Sequence, residues 1–211
     1  MTTAAWIVLV ATAIAAGADW VAVATGRRML EYVAKPAATA GLVGLALTLV
    51  PADGAVRAAF VVALVLSLVG DVFLMLPSDR FVPGLVAFLG AHVAYVVGFV
   101  LGRGSGGALL VGALITVAVA APVGWRLLPA VRRSAPDLTV PVAVYMTVIA
   151  AMVACATAWG NAWAVAGAWL FFVSDALIAE TRFGAPRSWG RTAVIVTYHL
   201  GQLGLVLSLV R

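Results

Sequence analysis

Two carboxyl groups stand where carboxyl groups are costly. Asp71 lies in Leu68-Val69-Gly70-Asp71-Val72-Phe73-Leu74-Met75, and Asp175 lies 104 residues further on in Phe172-Val173-Ser174-Asp175-Ala176-Leu177-Ile178-Ala179. An acidic side chain deep in a membrane helix is disfavoured by about 2.5–3.5 kcal/mol on insertion scales, so it marks function by default. A pair of carboxyl groups suits a reaction in which one delivers a proton and the other stabilises a cation or activates water. Two close carboxylates in a low dielectric do not readily ionise together, which divides those roles between them. The chain has two histidines, His92 and His199, and imidazole can orient a carboxyl or relay its proton near neutral pH. Asp71, Asp175, His92 and His199 are the expected catalytic set.

The chain that must position them has 211 residues, 64% of them hydrophobic and 10% charged, with a mean hydropathy of +1.14. That is far more apolar than a soluble domain. Hydrophobic segments at 4–24, 35–50, 56–76, 82–102, 108–128, 139–159, 161–181 and 192–210 predict eight transmembrane helices, since hydrocarbon is spanned by about 20 residues. The expected fold is an all-α integral membrane protein with a single transmembrane domain over residues 1–211. Met1-Thr2-Thr3 supplies no basic leader, so the first segment reads as a span and not a signal peptide. A lone cysteine, Cys155, builds neither a disulfide framework nor a thiolate metal site.

Basic residues orient the segments. Arg27, Arg28, Lys35, Arg80, Arg126, Arg132, Arg133, Arg182, Arg187 and Arg191 lie at the odd-numbered loops, against Arg57, Arg103 and Arg211 on the other side. This bias puts the odd loops in the cytoplasm and both termini outside. The excess of positive charge therefore points to membrane orientation, and no nucleic acid partner is expected.

The two halves, about 1–104 and 105–211, read as a 4+4 parallel internal repeat. Lys35-Pro36 and Val140-Pro141 open segments 2 and 6, Asp71 matches Asp175, and His92 matches His199, at offsets of 105, 104 and 107 residues. Four helices per half insert the same way up, so an axis near the membrane normal relates them. Lys35, Asp71, His92, Tyr145, Asp175 and His199 all fall in the cytoplasmic half, within roughly 15 Å of its surface at ~1.5 Å per residue. Helical spacing puts Ser67, Gly70 and Asp71 on one stripe, and His92 with Tyr95 on another. Ser174 with Asp175, and His199 with Gln202, form two more. The expected result is one polar pocket with apolar walls.

At these residues the chain resembles the YhhN-like lysoplasmalogenase family of eight-helix membrane proteins. The matching pieces are Lys35-Pro36, Gly70-Asp71 with Leu74-Met75, and Gly84-Leu85-Val86-Ala87-Phe88 leading to Ala91-His92 and Tyr95. They continue with Tyr145, Ser174-Asp175-Ala176-Leu177-Ile178-Ala179, and Tyr198-His199 with Gln202. The resemblance implies hydrolysis of the vinyl ether bond of a lysoplasmalogen, giving a fatty aldehyde and a glycerophospho-base. It also implies a lysophospholipid drawn from the bilayer as substrate.

Under that reading Lys35 holds the substrate phosphate at the mouth of segment 2. Tyr145, Tyr198 and Gln202 hydrogen-bond water or the substrate oxygen, and Tyr95 and Ser174 complete the binding set. No cofactor, no metal and no obligate protein partner are expected, as two histidines without His-x-x-x-His spacing do not make a metal site. The alanine-, valine- and arginine-rich, lysine-poor composition suggests a bacterial inner membrane. The competing reading is a small proton-coupled transporter, which also uses intramembrane carboxylates and histidines.

Overall fold

Four helical hairpins build the protein. A computed structural model describes residues 1–50, 53–102, 104–185 and 187–210. Its helices are α1 (Thr3–Thr25), α2 (Arg28–Thr48), α3 (Gly54–Met75), α4 (Phe81–Leu101), α5 (Gly106–Ser134), α6 (Thr139–Trp159), α7 (Ala162–Phe183) and α8 (Gly190–Leu207), with a 3₁₀ turn at Pro136–Leu138 leading into α6. Arg103 and Arg211, which entered the charge bias, lie outside the described residues.

The odd-numbered helices start from side-chain caps. Thr2, Asp53, Ser105 and Asn161 each accept from backbone N–H groups in the first turn of α1, α3, α5 and α7, satisfying donors that would otherwise be orphaned. Gly26 and Gly160 end α1 and α6 in the left-handed conformation, with φ of 69° and 73°, which glycine adopts without strain. The even-numbered helices start at the opposite end of the bundle, from Arg27, Arg80, Leu138 and Trp189, and none has a side-chain cap.

Each helix packs on its hairpin partner, and the hairpins join through α2 on α3, α4 on α6, α6 on α7, and α8 on both α1 and α2. An aromatic cluster fills the centre, with Phe60 edge-on to Tyr95 and Phe99 at centroid distances of 5.0 and 5.3 Å. The α7–α8 hairpin is closer than side chains normally allow. A Cβ on Gly167 would lie 2.6 Å from the Leu205 backbone nitrogen and 2.7 Å from the Gly201 carbonyl oxygen. Backbone cannot rotate away, so Gly167→Ala is expected to destabilise the fold by about 1–3 kcal/mol. An unchanged unfolding temperature in detergent would show that the hairpin has slack.

Six helices are long and apolar enough to cross a membrane: α1, α3, α4, α5, α6 with its leading turn, and α7. The protein is accordingly an integral membrane protein. The two that fall short are α2, which carries Arg28, Glu31 and Lys35, and α8, which is 18 residues long and carries Arg191, Tyr198, His199 and Gln202. Both pack within the bundle, where Glu31, Lys35, Arg191, Tyr198 and Gln202 find partners.

Two segment boundaries differ from expectation. Helix α2 starts at Arg28, about two turns before Lys35, so Pro36 is interior and not an opening residue. Its ring nitrogen has no hydrogen to give to the Tyr32 carbonyl. Helix α5 runs 29 residues, through Pro122 and Pro129, to Ser134. Pro141, by contrast, does lie in the first turn of α6.

Candidate active site

The polar residues of the bundle gather in three sets. The first surrounds Asp71, one turn before the end of α3 and 1% exposed. Its Oδ2 accepts from the Thr39 and Tyr198 hydroxyls, each at 2.7 Å, and its Oδ1 lies 3.2 Å from the Lys35 ammonium. Lys35 is the chain's only lysine. Asp71 thus ties α3 to α2 and α8, and its donors supply the hydrogen bonding that a buried carboxyl group needs. Tyr198 accepts in turn from Gln202 Nε2 at 3.4 Å, and Gln202 Oε1 accepts a short hydrogen bond from the Tyr95 hydroxyl of α4. Lys35 is consequently not a free cation at the mouth of α2; it is bound to Asp71.

The second set surrounds Asp175 on α7. Its Oδ2 accepts from the Tyr145 hydroxyl of α6 at 2.6 Å and lies 3.4 Å from His92 Nε2 of α4. His92 Nδ1 stands 2.6 Å from the Phe88 carbonyl oxygen. That oxygen can only accept, so the proton belongs on Nδ1 and a neutral His92 turns a bare Nε2 toward Asp175. Nε2 has no hydrogen-bond partner among the described residues, and of the two groups Asp175 is the one that lines a cavity.

His199 stands apart from both aspartates of the expected pair. Its Nδ1 accepts from the Trp20 indole N–H at 3.1 Å, which leaves the proton on Nε2, 4.0 Å from Asp19 Oδ2 and beyond hydrogen-bond reach of it. The two histidines are opposite tautomers. Ser174 donates to the Val194 carbonyl at 3.0 Å and laces α7 to α8.

Sequence reasoning missed Asp19, Trp20 and Thr39. Asp19 met the criterion that singled out Asp71 and Asp175, a carboxyl inside an apolar segment, and it is fully buried. Neither of its oxygens has a hydrogen-bond partner among the described residues. Removing an unpaired buried carboxyl should be neutral or stabilising. Asp19→Leu is expected to unfold in detergent at or above the wild-type temperature, and a clear fall would mean that Asp19 has partners this geometry does not contain.

Two cavities adjoin the aspartate sets. A narrow apolar slot of about 50 Å³ runs between α4, α5, α6 and α7, past Leu85, Phe88, Leu127, Ile149 and Phe172, and Asp175 and Tyr145 stand in its wall. A wider cleft of about 630 Å³ opens at the end of the bundle where the even helices begin, with Lys35 in its lining. Leu74, Phe81 and Ile178 line both. Phe88 and Phe171 pack edge-on to Tyr198, at 5.8 and 5.4 Å, between the Asp71 and Asp175 sets.

The YhhN family model matches residues 30–209, which include every group in the Asp71 and Asp175 sets. The chain belongs to the YhhN family. Among curated proteins of known activity, it is 36% identical to the lysoplasmalogenase TMEM86B of Homo sapiens over 149 residues, covering 71% of this chain and 62% of that protein. It is 32% identical to the lysoplasmalogenase TMEM86B of Sus scrofa over 161 residues, covering 75% of this chain and 66% of that protein. The matched regions thus span somewhat less than two thirds of these relatives' length. No solved structure matches the chain. The family match begins at Leu30, so Asp19 and Trp20 lie outside it while Lys35, Asp71, Asp175 and both histidines lie within.

Proposed function

We infer that this YhhN family member is a membrane-embedded lysolipid hydrolase that cleaves the vinyl ether bond of a lysoplasmalogen. One observation carries the reading: an apolar slot with a carboxyl in its wall lies beside a charged cleft, and Leu74, Phe81 and Ile178 line both. A single-chain amphiphile has that shape and that division of polarity. The first carbons of its chain lie in the slot, its head group in the cleft, and the bond between them near Asp175. The curated lysoplasmalogenases at 36% and 32% identity support the same chemistry.

The reaction needs a proton on carbon. Asp175 delivers it to the alkenyl carbon β to the ether oxygen, and the double-bond electrons form the new C–H bond. An oxocarbenium ion results at the α carbon. Water adds there and gives up a proton to the Asp175 carboxylate, restoring it. The hemiacetal then collapses to a fatty aldehyde and a free glycerol hydroxyl, so one water is consumed and no proton is lost. The division of labour resembles glycoside hydrolysis, which passes through a similar cation.

His92 holds Asp175 in orientation and shares its proton. Tyr145 completes the hydrogen bonding of the carboxyl and faces the same slot. Asp71 is the second carboxylate of the pair: its charge lies on the cleft side, where it fixes Lys35 and Tyr198 and favours the developing cation. Ten basic residues at the odd loops support placing the cleft on the cytoplasmic face, with the termini outside, in a bacterial inner membrane.

A 4+4 repeat fits the bonding of the two aspartates. Each accepts from a hydroxyl on the helix before it, Thr39 or Tyr145, and meets a group from the last helix of the other half, Tyr198 or His92. The test is aldehyde release from a lysoplasmalogen by purified protein in detergent. Release that needs Asp175 supports the hydrolase; no release from folded protein across a panel of lysolipids would overturn it.

A further inference from the structure

The wide cleft contains more positive charge than its own carboxylates use. Arg28, Lys35, Arg80, Arg182 and Arg191 line it against Glu31 and Asp79. Three of those five cations have carboxylate partners: Lys35 on Asp71 at 3.2 Å, Arg182 on Asp79 at 2.7 Å and Arg191 on Glu31 at 2.9 Å. Arg28 and Arg80 have none within ion-pairing distance among the described residues, and Arg80 Nε donates only to the Ser78 hydroxyl, at 3.3 Å. Two exposed guanidinium groups therefore line one cavity without a counter-charge. Helices α2, α4 and α8 all begin beside this cleft without side-chain caps, and the positive ends of their dipoles add to the field there.

We propose that Arg28 and Arg80 form a phosphate-binding subsite in this cleft, which makes a phosphate ester on the head group a requirement for tight binding. Guanidinium presents paired donors that match phosphate oxygens, and such charge-assisted bonds are about twice as strong as neutral ones. The slot beside the cleft is narrow and apolar, so the ligand class is a single-chain phosphate amphiphile. Lys35, bound to Asp71, stays with the Asp71 set. This assignment rests on the lysolipid reading for the position of the chain, and the phosphate contact is separable from the bond that is cleaved.

The test compares two ligands that cannot be turned over, a 1-O-hexadecyl lysophosphocholine and 1-O-hexadecylglycerol. Equilibrium binding of each is measured with the full chain in a maltoside detergent, which contains no phosphate. Wild type is expected to bind the phosphate ligand at least tenfold more tightly. Arg28→Gln/Arg80→Gln is expected to lose that preference while its affinity for the glycerol ether is unchanged, and Arg28→Lys/Arg80→Lys is expected to keep part of it. Equal binding of the two ligands by wild type, or a preference that survives in the glutamine variant, would overturn the subsite. If the glutamine variant does not fold, the wild-type comparison and the lysine variant still decide. Aldehyde release from the vinyl ether substrate is read separately. A retained phosphate preference with no aldehyde would reject the hydrolase and leave the subsite standing.

Discussion

Asp175→Asn is expected to remove aldehyde release almost entirely while leaving the fold intact. Asparagine has the same shape, and because both contacts fall on one carboxyl oxygen, its amide oxygen placed there still accepts from the Tyr145 hydroxyl at the 2.6 Å contact. Packing therefore changes little. What disappears is a transferable proton, because an amide nitrogen is not an acid near neutral pH. Loss of a general acid lowers rates by about 10²–10⁴-fold, and here the same group also takes the proton back from water. His92→Gln should do less harm, since it removes the partner that shares and orients the proton but not the carboxyl that delivers it. Gel filtration and thermal unfolding of the variants separate chemistry from folding. A well-folded Asp175→Asn protein with near-normal aldehyde release would remove Asp175 from the mechanism.

Much of the fold was legible because a membrane helix is simple to encode. Long apolar runs broken by caps and glycines place eight helices to within a few residues, apart from the start of α2 and the end of α5. Helix α2 was misjudged for a physical reason. Its first two turns hold Arg28, Glu31 and Lys35, which look like a loop until Glu31 is seen bonded to Arg191 and Lys35 to Asp71. Polar residues inside a bundle weaken the apolar signal in the helices that build the site.

The candidate site was legible as a set of faces and not as a set of bonds. Helical spacing put Asp71, His92, Tyr95, His199 and Gln202 on stripes that the bundle buries, because period alone decides which stripe faces inward. It could not foresee that Phe88 and Phe171 would stand between the two aspartate sets, or that His199 would turn to Trp20 and Asp19. Those outcomes depend on which neighbour fills a gap. Asp19 was different: it was visible in the sequence as a third carboxyl inside an apolar segment.

Lys35→Met should be the most destabilising of the single changes in the Asp71 set. Asp71 is 1% exposed and would keep its two hydroxyl donors but lose its only cation. Breaking one side of a buried ion pair lowers stability by about 3–5 kcal/mol, since the remaining charge cannot reach water. The converse change should be milder. Lys35 lines the open cleft, so in Asp71→Asn its flexible stem can carry the ammonium to solvent, and asparagine still accepts from Thr39 and Tyr198. Lys35→Met/Asp71→Leu removes both charges together. It should recover part of the lost stability: Thr39 keeps the Lys35 backbone carbonyl as acceptor at 3.5 Å, while Tyr198 still accepts from Gln202 at 3.4 Å but loses the acceptor for its own proton. Thermal unfolding in detergent measures all three. Equal losses for Lys35→Met and Asp71→Asn would mean that the cleft does not offer Lys35 water. If the double variant is stable yet releases no aldehyde, the pair is kept for the reaction and not for the fold.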